Sequence, residues 1–156
     1  MVKFKYKECY FTITETTFQR MLRYKQLNNS FESGGMLIGS ILTSGNEIEI
    51  NDCTEPLEED KQSRLSFRRS NMHNKLLKKK WEESEFTKLY LGEWHTHPQR
   101  IPSPSFLDKS TWKKLLYTSN TECRFLIFII IGLNSMEIWI GDRKSKSLDR
   151  GGNYRY

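Results

Sequence analysis

The chain has 156 residues, with 25 lysines and arginines against 19 aspartates and glutamates, and a net charge of +6 at pH 7. This length suits a single domain that buries its own hydrophobic core. The longest apolar run, residues 125–133, is about half as long as the roughly 18 residues that a membrane span needs, and the N-terminal residues lack the apolar region of a signal peptide. We therefore expect a soluble, cytoplasmic protein without a membrane partner.

The cysteines and the positive charge exclude further classes of protein. Cys9, Cys53 and Cys123 are scattered without CxxC spacing, which argues against a disulfide framework and against a cysteine-rich zinc site. The densest basic run, residues 75–81, is typical of one solvated helix face. Because no zinc-finger spacing, phosphate-binding loop or RNA-binding signature accompanies it, we do not expect a nucleic-acid partner.

The first half of the chain contains predicted strands and one predicted helix. The helical spacing of Phe18, Met21 and Leu22, after threonines suited to a helix N-terminus, predicts a helix over 15–26. Runs of strand-forming residues predict strands over 9–14, 34–42 and 47–55, and the turn between the last two predicts a hairpin. The polar segment that follows, residues 55–64, is typical of an exposed loop.

The second half alternates further predicted strands and helices. A helix over 71–84 follows a short strand over 65–69, and its apolar side is predicted to contain Met72, Leu77 and Trp81. Ser103 is the predicted N-cap of a second helix. The remaining predicted elements are a strand over 88–97, that second helix over 105–117, and strands over 124–131 and 136–142.

These elements predict one mixed α/β domain over residues 1–142, with a central mixed β-sheet flanked by helices. Residues 143–156 are predicted to form a polar C-terminal tail.

Residues 92–108 contain the side chains best suited to chemistry. His95 and His97 are two apart on a predicted strand, so both project from one face, whereas Thr96 points to the other. Ser105 and Asp108 are three apart and share one face of the following helix. Two imidazoles and one carboxylate form a ligand set that zinc accepts in catalytic sites, with a water as the fourth ligand.

A metallohydrolase of this kind also needs a carboxylate that transfers protons and a hydrogen-bond donor for the developing oxyanion. Ser105 is placed for the second task, because it shares a helix face with Asp108. Glu32 stands out for the first task, because Gly34 and Gly35 follow it and allow a close approach of the backbone.

Each of these five residues also has an ordinary structural explanation when it is considered alone. The two histidines would more often be structural, and Asp108 would compensate a helix dipole. Ser105 would cap a helix, and Glu32 would be a loop acid.

Taken together, the five residues resemble the JAMM (MPN-plus, JAB) family of zinc metalloproteases. The pattern is a glutamate upstream of GGMLIG, then H-[ST]-H-P at 95–98, then S-x-x-D at 105–108. The resemblance covers nearly the whole chain and implies the cytidine-deaminase-like JAB/MPN fold.

The resemblance also implies a role for each residue. His95, His97 and Asp108 would bind one Zn²⁺ per chain, with a water as the fourth ligand. Ser105 would stabilise the tetrahedral intermediate, and Glu32 would be the catalytic acid and base.

Members of this family cleave after the C-terminus of ubiquitin-like proteins. Among its bacterial members, the chain is most similar to the deconjugating peptidases of CBASS antiphage operons. This similarity implies a zinc-dependent isopeptidase whose substrate is a cGAS-like nucleotidyltransferase, joined through its extended C-terminal tail to a target. It also implies a functional link to a ubiquitin-activating and conjugating-like enzyme.

Three alternatives stay open at this point. A peptidase that processes a ubiquitin-like sulfur carrier would cut after a diglycine, a DNA-associated relative would use the basic surface, and a non-catalytic adaptor would bind zinc without turnover. Outside the motif, His73 is expected to cap or pack a helix. Trp94 is expected to point away from the metal and Trp112 to border the site.

Overall fold

Ten strands and three helices follow one another in the computed structural model, which describes all 156 residues. The helices are α1 (Glu15–Leu22), α2 (Met72–Glu83) and α3 (Phe106–Thr118). The strands are β1 (Val2–Tyr6), β2 (Cys9–Ile13), β3 (Gly34–Ile41), β4 (Glu47–Cys53), β5 (Lys61–Gln62), β6 (Phe67–Arg68), β7 (Leu89–Thr96), β8 (Phe125–Ile131), β9 (Ser135–Asp142) and β10 (Ser147–Arg155). None of the helices is both long and apolar enough to cross a membrane.

Eight of the strands form one mixed sheet in the order β1-β2-β4-β3-β7-β8-β9-β10. The pairs β2–β4 and β7–β8 are parallel, and the other neighbours are antiparallel. Strands β5 and β6 form a separate small hairpin between β4 and α2. The mixed α/β architecture predicted from the sequence is confirmed, and β7, the strand with the two histidines, lies inside the sheet between β3 and β8.

Strand β8 shows how both faces of the sheet are covered. All seven of its residues are buried, and alternate side chains enter two different clusters. Phe125, Ile127, Ile129 and Ile131 join the larger cluster, to which α1 contributes Phe18 and Met21. The other three face a smaller cluster that contains Trp112 and Leu116 of α3. This continuous apolar run is the pattern expected of a strand covered on both sides.

The sheet curls until its two edge strands contact each other through side chains. The Tyr6 hydroxyl of β1 donates to the carboxylate of Asp149 on β10, and the rings of Phe4 and Tyr154 are 6.4 Å apart. The right-handed twist of successive strands produces this curvature. The larger hydrophobic cluster lies within the curve.

The C-terminal segment differs from the polar tail predicted over 143–156. Residues 147–155 form β10, which pairs with β9 and has a register shift between Arg150 and Gly152. Because β10 is an edge strand, most of its residues are only partly buried, and its composition is polar for that reason. Strand β1 is a further element that was not predicted, although its apolar residues alternate with lysines.

Two further differences concern the segment between β4 and β7. Met72 and Trp81, predicted on the apolar side of α2, are each 37% exposed, and the one fully buried residue of the helix is His73. The segment over 55–64 is anchored and not simply an exposed loop, because the side chain of Asp60 is 0% exposed.

Candidate metal centre and active site

The five residues singled out by the sequence lie on segments that meet at one end of β3 and β7. His95 is the next-to-last residue of β7, and His97 directly follows the end of that strand. Because β3 and β7 are antiparallel and Gly34 is opposite His95, the chain just before β3 brings Glu32 to the same end. Asp108 lies in the first turn of α3. The sheet register and the helix start therefore bring together residues that are up to 76 positions apart in the sequence.

The side chains of His95, His97 and Asp108 form a small triangle. The two Nε2 atoms are 3.1 Å apart, and each is 3.3 Å from an oxygen of Asp108. A tetrahedral zinc ion with ligand distances of about 2.0–2.1 Å separates its ligand atoms by about 3.3 Å. Two imidazoles and a carboxylate at this spacing fit such an ion.

The electrostatics of the site follow from burial and from these contacts. Burial raises the pKa of Glu32, and the neighbouring histidines offset this only in part. Burial also opposes ionisation of Asp108, but hydrogen bonds from His95 and His97 lower the pKa of this carboxyl well below its ordinary range. Burial lowers the pKa of His97, yet its contacts with Asp108 and Glu32 raise it on balance. Two carboxylates therefore face two imidazoles, which is an environment that favours a cation.

Backbone contacts hold Glu32 beside the histidines. Its N–H donates to the carbonyl of Ser63 at 2.7 Å, and its Oε1 atom is 3.7 Å from Nε2 of His97. The next residue, Ser33, exchanges two hydrogen bonds with Thr96. The Ser33 N–H donates to the Thr96 hydroxyl at 2.9 Å, and the Thr96 N–H donates to the Ser33 carbonyl at 2.9 Å. Thr96 thus links the segment with Glu32 to the strand with the histidines.

The glycine pair after Glu32 is required by close packing. A Cβ atom at Gly34 would lie 2.4 Å from the carbonyl oxygen of Trp94 and 2.7 Å from the ring of Phe67. A Cβ atom at Gly35 would lie 2.2 Å from the carbonyl oxygen of Thr54. The Trp94 side chain packs in the larger cluster, as predicted, while the ring of Trp112 is 6.1 Å from that of His95 and borders the site.

Ser105, and not Ser103, caps α3. Its Oγ atom accepts from the N–H of Asp108 at 3.0 Å, and the Asp108 carboxylate accepts from the N–H of Ser105 at 2.7 Å. This reciprocal capping box fixes the Asp108 carboxylate with respect to Ser105. The prediction that Ser103 is the N-cap was wrong. A helix capped by Ser103 would begin at residue 104, whereas α3 begins two residues later, at Phe106. The Ser105 hydroxyl is exposed and donates no hydrogen bond within the protein.

A second polar cluster, which the sequence did not predict, surrounds His73. His73, which is 0% exposed, contacts both carboxylate oxygens of Asp60 at 2.9 Å through Nε2 and the hydroxyl of Thr54 at 2.6 Å through Nδ1. His73 was predicted to cap or pack a helix, and it packs: it is fully buried, while Asn71 is the N-cap residue of α2. Asp60 and Thr54 precede His73 by 13 and 19 positions, with a loop between them. No sequence pattern connects residues at such separations, so only the tertiary structure reveals the cluster. It anchors the segment whose Ser63 carbonyl holds Glu32.

A cavity of about 270 Å³ lies elsewhere, between α2 and the start of β7. Leu77, Trp81 and Tyr90 line it, and none of the five candidate residues does. The basic run on α2 is largely a solvated helix face with ion pairs such as Lys78–Glu82, and one of its lysines, Lys80, contacts Asp52.

Comparison with solved structures supports the fold. A solution structure of a protein from Desulfitobacterium hafniense is similar, with a TM-score of 0.63, 21% identity, and coverage of 90% of this chain and 88% of that one.

Comparison with curated proteins finds several relatives that bear the name CD-NTase/cGAS isopeptidase. The chain is 31% identical to one from Vibrio cholerae over 88% of its own length and 84% of that protein. It is 34% identical to one from Pseudomonas aeruginosa, over 80% and 78% of the two chains, and 32% identical to one from Escherichia coli, over 84% and 80%.

The family model described as prokaryotic homologs of the JAB domain matches residues 14–141, a range that includes all five candidate residues. The chain therefore belongs to this family of prokaryotic JAB-domain proteins.

Proposed function

We propose that the protein is a zinc-dependent isopeptidase that releases a protein from its conjugates. The observation that carries this proposal is the triangle of His95, His97 and Asp108, with the Glu32 carboxylate 3.7 Å from His97. The similar proteins named CD-NTase/cGAS isopeptidase support the same reaction.

We assign His95, His97 and Asp108 as the zinc ligands, because the two Nε2 atoms lie 3.1 Å apart and each lies 3.3 Å from an oxygen of Asp108. When bound, zinc polarises the scissile carbonyl and lowers the pKa of a water molecule. The capping box holds Asp108 in place before any ion binds, which reduces the reorganisation that binding requires.

Glu32 is the proposed acid and base. It takes the proton that the attacking water loses as a C–O bond forms at the scissile carbonyl, and it delivers a proton to the amine as the C–N bond breaks. The second proton of the water also passes to the amine, so the products are a carboxylate and a protonated amine. Burial of Glu32, which is 5% exposed, separates this proton transfer from bulk solvent.

Ser105 is the proposed donor to the oxygen of the scissile carbonyl as negative charge develops there. Its oxygen already accepts the Asp108 N–H, so the hydroxyl proton remains available to an incoming group. The exposure of Ser105 supports this role, because a substrate that arrives from solvent can reach its hydroxyl.

The proposed substrate is a cGAS-like nucleotidyltransferase whose extended C-terminal tail is joined to a target amine. The corresponding setting is the bacterial cytoplasm, within a CBASS antiphage system that contains a ubiquitin-activating and conjugating-like enzyme. The names of the relatives support the substrate class.

Cleavage of a fusion tests this proposal. The fusion joins the C-terminal tail of a cGAS-like nucleotidyltransferase to a reporter protein, and a second fusion carries the diglycine tail of a sulfur carrier instead. We expect the zinc-loaded protein to cut the first fusion after the last residue of the tail. Chelation should abolish cleavage, and added Zn²⁺ should restore it.

The matched variants are Glu32→Gln and Glu58→Gln, since Glu58 is an exposed acid on the segment near the site. Glu32→Gln should lower kcat by at least about 10²-fold, in line with loss of a general acid–base, while Glu58→Gln keeps normal activity. Undiminished cleavage in chelator, or preference for the diglycine fusion, would contradict the proposal.

A further inference from the structure

Five large apolar side chains are exposed on the segments that carry the candidate site, and we call this set the apolar rim. It consists of Phe31, Leu65, Ile101, Phe106 and Leu107, with exposed fractions from 55% for Phe31 to 91% for Phe106. Single exposed apolar residues are ordinary on protein surfaces, whereas several of them on segments next to one site are typical of an interaction surface.

Two members of the rim belong to the Glu32 side of the site. Phe31 precedes Glu32 directly, so their Cα atoms are about 3.8 Å apart. Leu65 lies in the turn that Ser63 and Ser66 close, and Ser63 is the residue whose carbonyl accepts the Glu32 N–H. Both side chains therefore project from backbone that is tied to the candidate acid and base.

The other three members belong to the side with the metal ligand Asp108. Phe106 and Leu107 are the two residues between Ser105 and Asp108, and Ile101 lies in the connection from β7 to α3. All three are more than half exposed. Phe106 and Leu107 directly follow Ser105 in sequence, so the backbone that presents the Ser105 hydroxyl also carries two exposed apolar side chains.

The backbone beneath this side of the rim is well anchored. Trp112 and Leu116 are buried and fix α3 against the sheet, while Leu133 and Asn134 donate to the carbonyls of residues 99 and 100 at 2.8 and 3.0 Å. The apolar side chains of the rim are therefore exposed on well-packed backbone. A bound apolar segment would cover them without a rearrangement of α3.

Basic side chains without acidic partners lie next to the rim. Arg64 and Arg100 adjoin Leu65 and Ile101 in sequence and are exposed, and neither forms an ion pair. Lys109 follows Asp108 and packs over the ring of Trp139 at 4.7 Å, also without a carboxylate partner. A ligand with carboxylates complements these charges.

We propose that the apolar rim binds the part of the substrate protein next to the scissile bond, and that this part is an extended segment with apolar side chains and at least one carboxylate. The inference rests on the proposed function, because it assigns the occupant of the same site. It distinguishes the substrate from a tail of glycine and other small residues, which would leave the rim uncovered.

Peptide binding tests this inference without turnover. Two fluorescein-labelled peptides of equal length are used, one with alternating leucine and aspartate and one with glycine and serine only, on zinc-loaded Glu32→Gln protein. We expect the first peptide to bind at least about tenfold more tightly, because only this peptide covers the rim. Adding Phe106→Ala should weaken its binding about tenfold, as for a truncated interface anchor.

Phe86→Ala is the matched control, because Phe86 is also an exposed phenylalanine, at 59%, but lies between α2 and β7 away from the candidate residues. It should leave peptide binding unchanged. Equal affinity for the two peptides, or an unaltered affinity in Phe106→Ala, would overturn the inference. If the peptide binds as expected but the fusion is not cleaved, the rim assignment holds and the proposed reaction is contradicted. The failure of the inference can therefore be distinguished from the failure of the proposed function.

Discussion

Thr96 is the last residue of β7 and lies between the two histidines in sequence; its side chain is on the opposite face of the strand and is fully buried. Its hydroxyl accepts the N–H of Ser33 at 2.9 Å. Since Ser33 follows Glu32, this hydrogen bond couples the position of the candidate acid and base to that of the metal ligands. A small displacement of a positioned catalytic group is enough to slow a reaction substantially.

Thr96→Val tests this coupling, because valine keeps the shape of threonine and removes the acceptor. We expect kcat for the fusion to fall at least about tenfold, because the Ser33 N–H loses its partner and Glu32 shifts. Zinc content should not change, and Thr96→Ser should restore kcat. Steady-state kinetics and metal analysis measure both quantities. Equal kcat in the valine variant and the unaltered protein would show that Thr96 has no positioning role.

At the residue scale, the sequence predicted five candidate residues from their spacing. Alternation along a strand placed His95 and His97 on one side, and the structure brings both to Asp108. The contacts that hold Glu32 were not predictable, because Ser33 and Thr96 are 63 positions apart. The spacing of residues within a helix or strand cannot predict a contact at this separation.

The segment between β4 and α2 is the element that supports Glu32 from outside the sheet. It contains the β5–β6 hairpin, and its own anchor is the Asp60 carboxylate. This carboxylate accepts from the N–H groups of Leu57 and Ser70 at 2.8 and 2.7 Å and contacts His73. A buried charge with several partners is expensive to disturb, because removing it leaves the partners unsatisfied.

Asp60→Ala should therefore destabilise the protein by about 3 kcal/mol, since the buried His73 and two N–H groups lose their partner. Denaturant unfolding monitored by circular dichroism measures the change. Glu58→Ala is the control, because Glu58 is an exposed acid two residues away, and it should change stability by no more than about 0.5 kcal/mol. Similar losses in the two variants would show that the Asp60 cluster is not the anchor.

At the element scale, the strands of the central sheet and the helix order were predicted, and the two edge strands were not. Strand β1 has the period-2 pattern of a strand, because Val2, Phe4 and Tyr6 alternate with lysines. This pattern is short and lies at the start of the chain, where it was not recognised as a strand. The glycines and charges of β10 suppress the same signal, and only its pairing with β9 identifies the segment as a strand. Edge strands carry weak patterns because only part of their surface is buried.

For the whole molecule, Asp52 is a charge that joins elements from both faces of the sheet. Its carboxylate on β4 contacts Arg20 of α1 at 2.7 Å, Lys80 of α2 at 2.7 Å and Lys88 at 3.2 Å. Burial alone would raise the pKa of Asp52, but these three cations overcome it and lower the pKa to about 2. The folded state therefore favours the ionised carboxylate more strongly than the unfolded chain does.

This pKa shift predicts a dependence of stability on pH. The folded pKa of about 2 lies below the ordinary value of 3.8, so the stabilisation is complete above about pH 4 and is lost as the pH falls towards 2. We expect Asp52→Asn to lower the free energy of unfolding by about 2 kcal/mol at pH 7. The difference from the unaltered protein should shrink between pH 4 and 2. Denaturant titrations at several pH values provide the measurement, and a difference that stays constant over that range would contradict it.

The curled shape of the sheet is the feature that sequence patterns predict least. The contact of Tyr6 with Asp149 joins residues 143 positions apart, and the alternation within each strand is compatible with an open sheet as well as a curled one. The site is more predictable than this overall shape, because four of its five residues lie within fourteen consecutive positions, 95–108.

Zinc stoichiometry measured by native mass spectrometry tests the central claim most directly. We expect one zinc ion per chain in the unaltered protein and in Glu32→Gln, and none in the double variant His95→Ala/His97→Ala, with circular dichroism showing that the double variant remains folded. A zinc-free protein after incubation with stoichiometric Zn²⁺, or full occupancy in the double variant, would contradict the assignment of His95, His97 and Asp108 as the metal site.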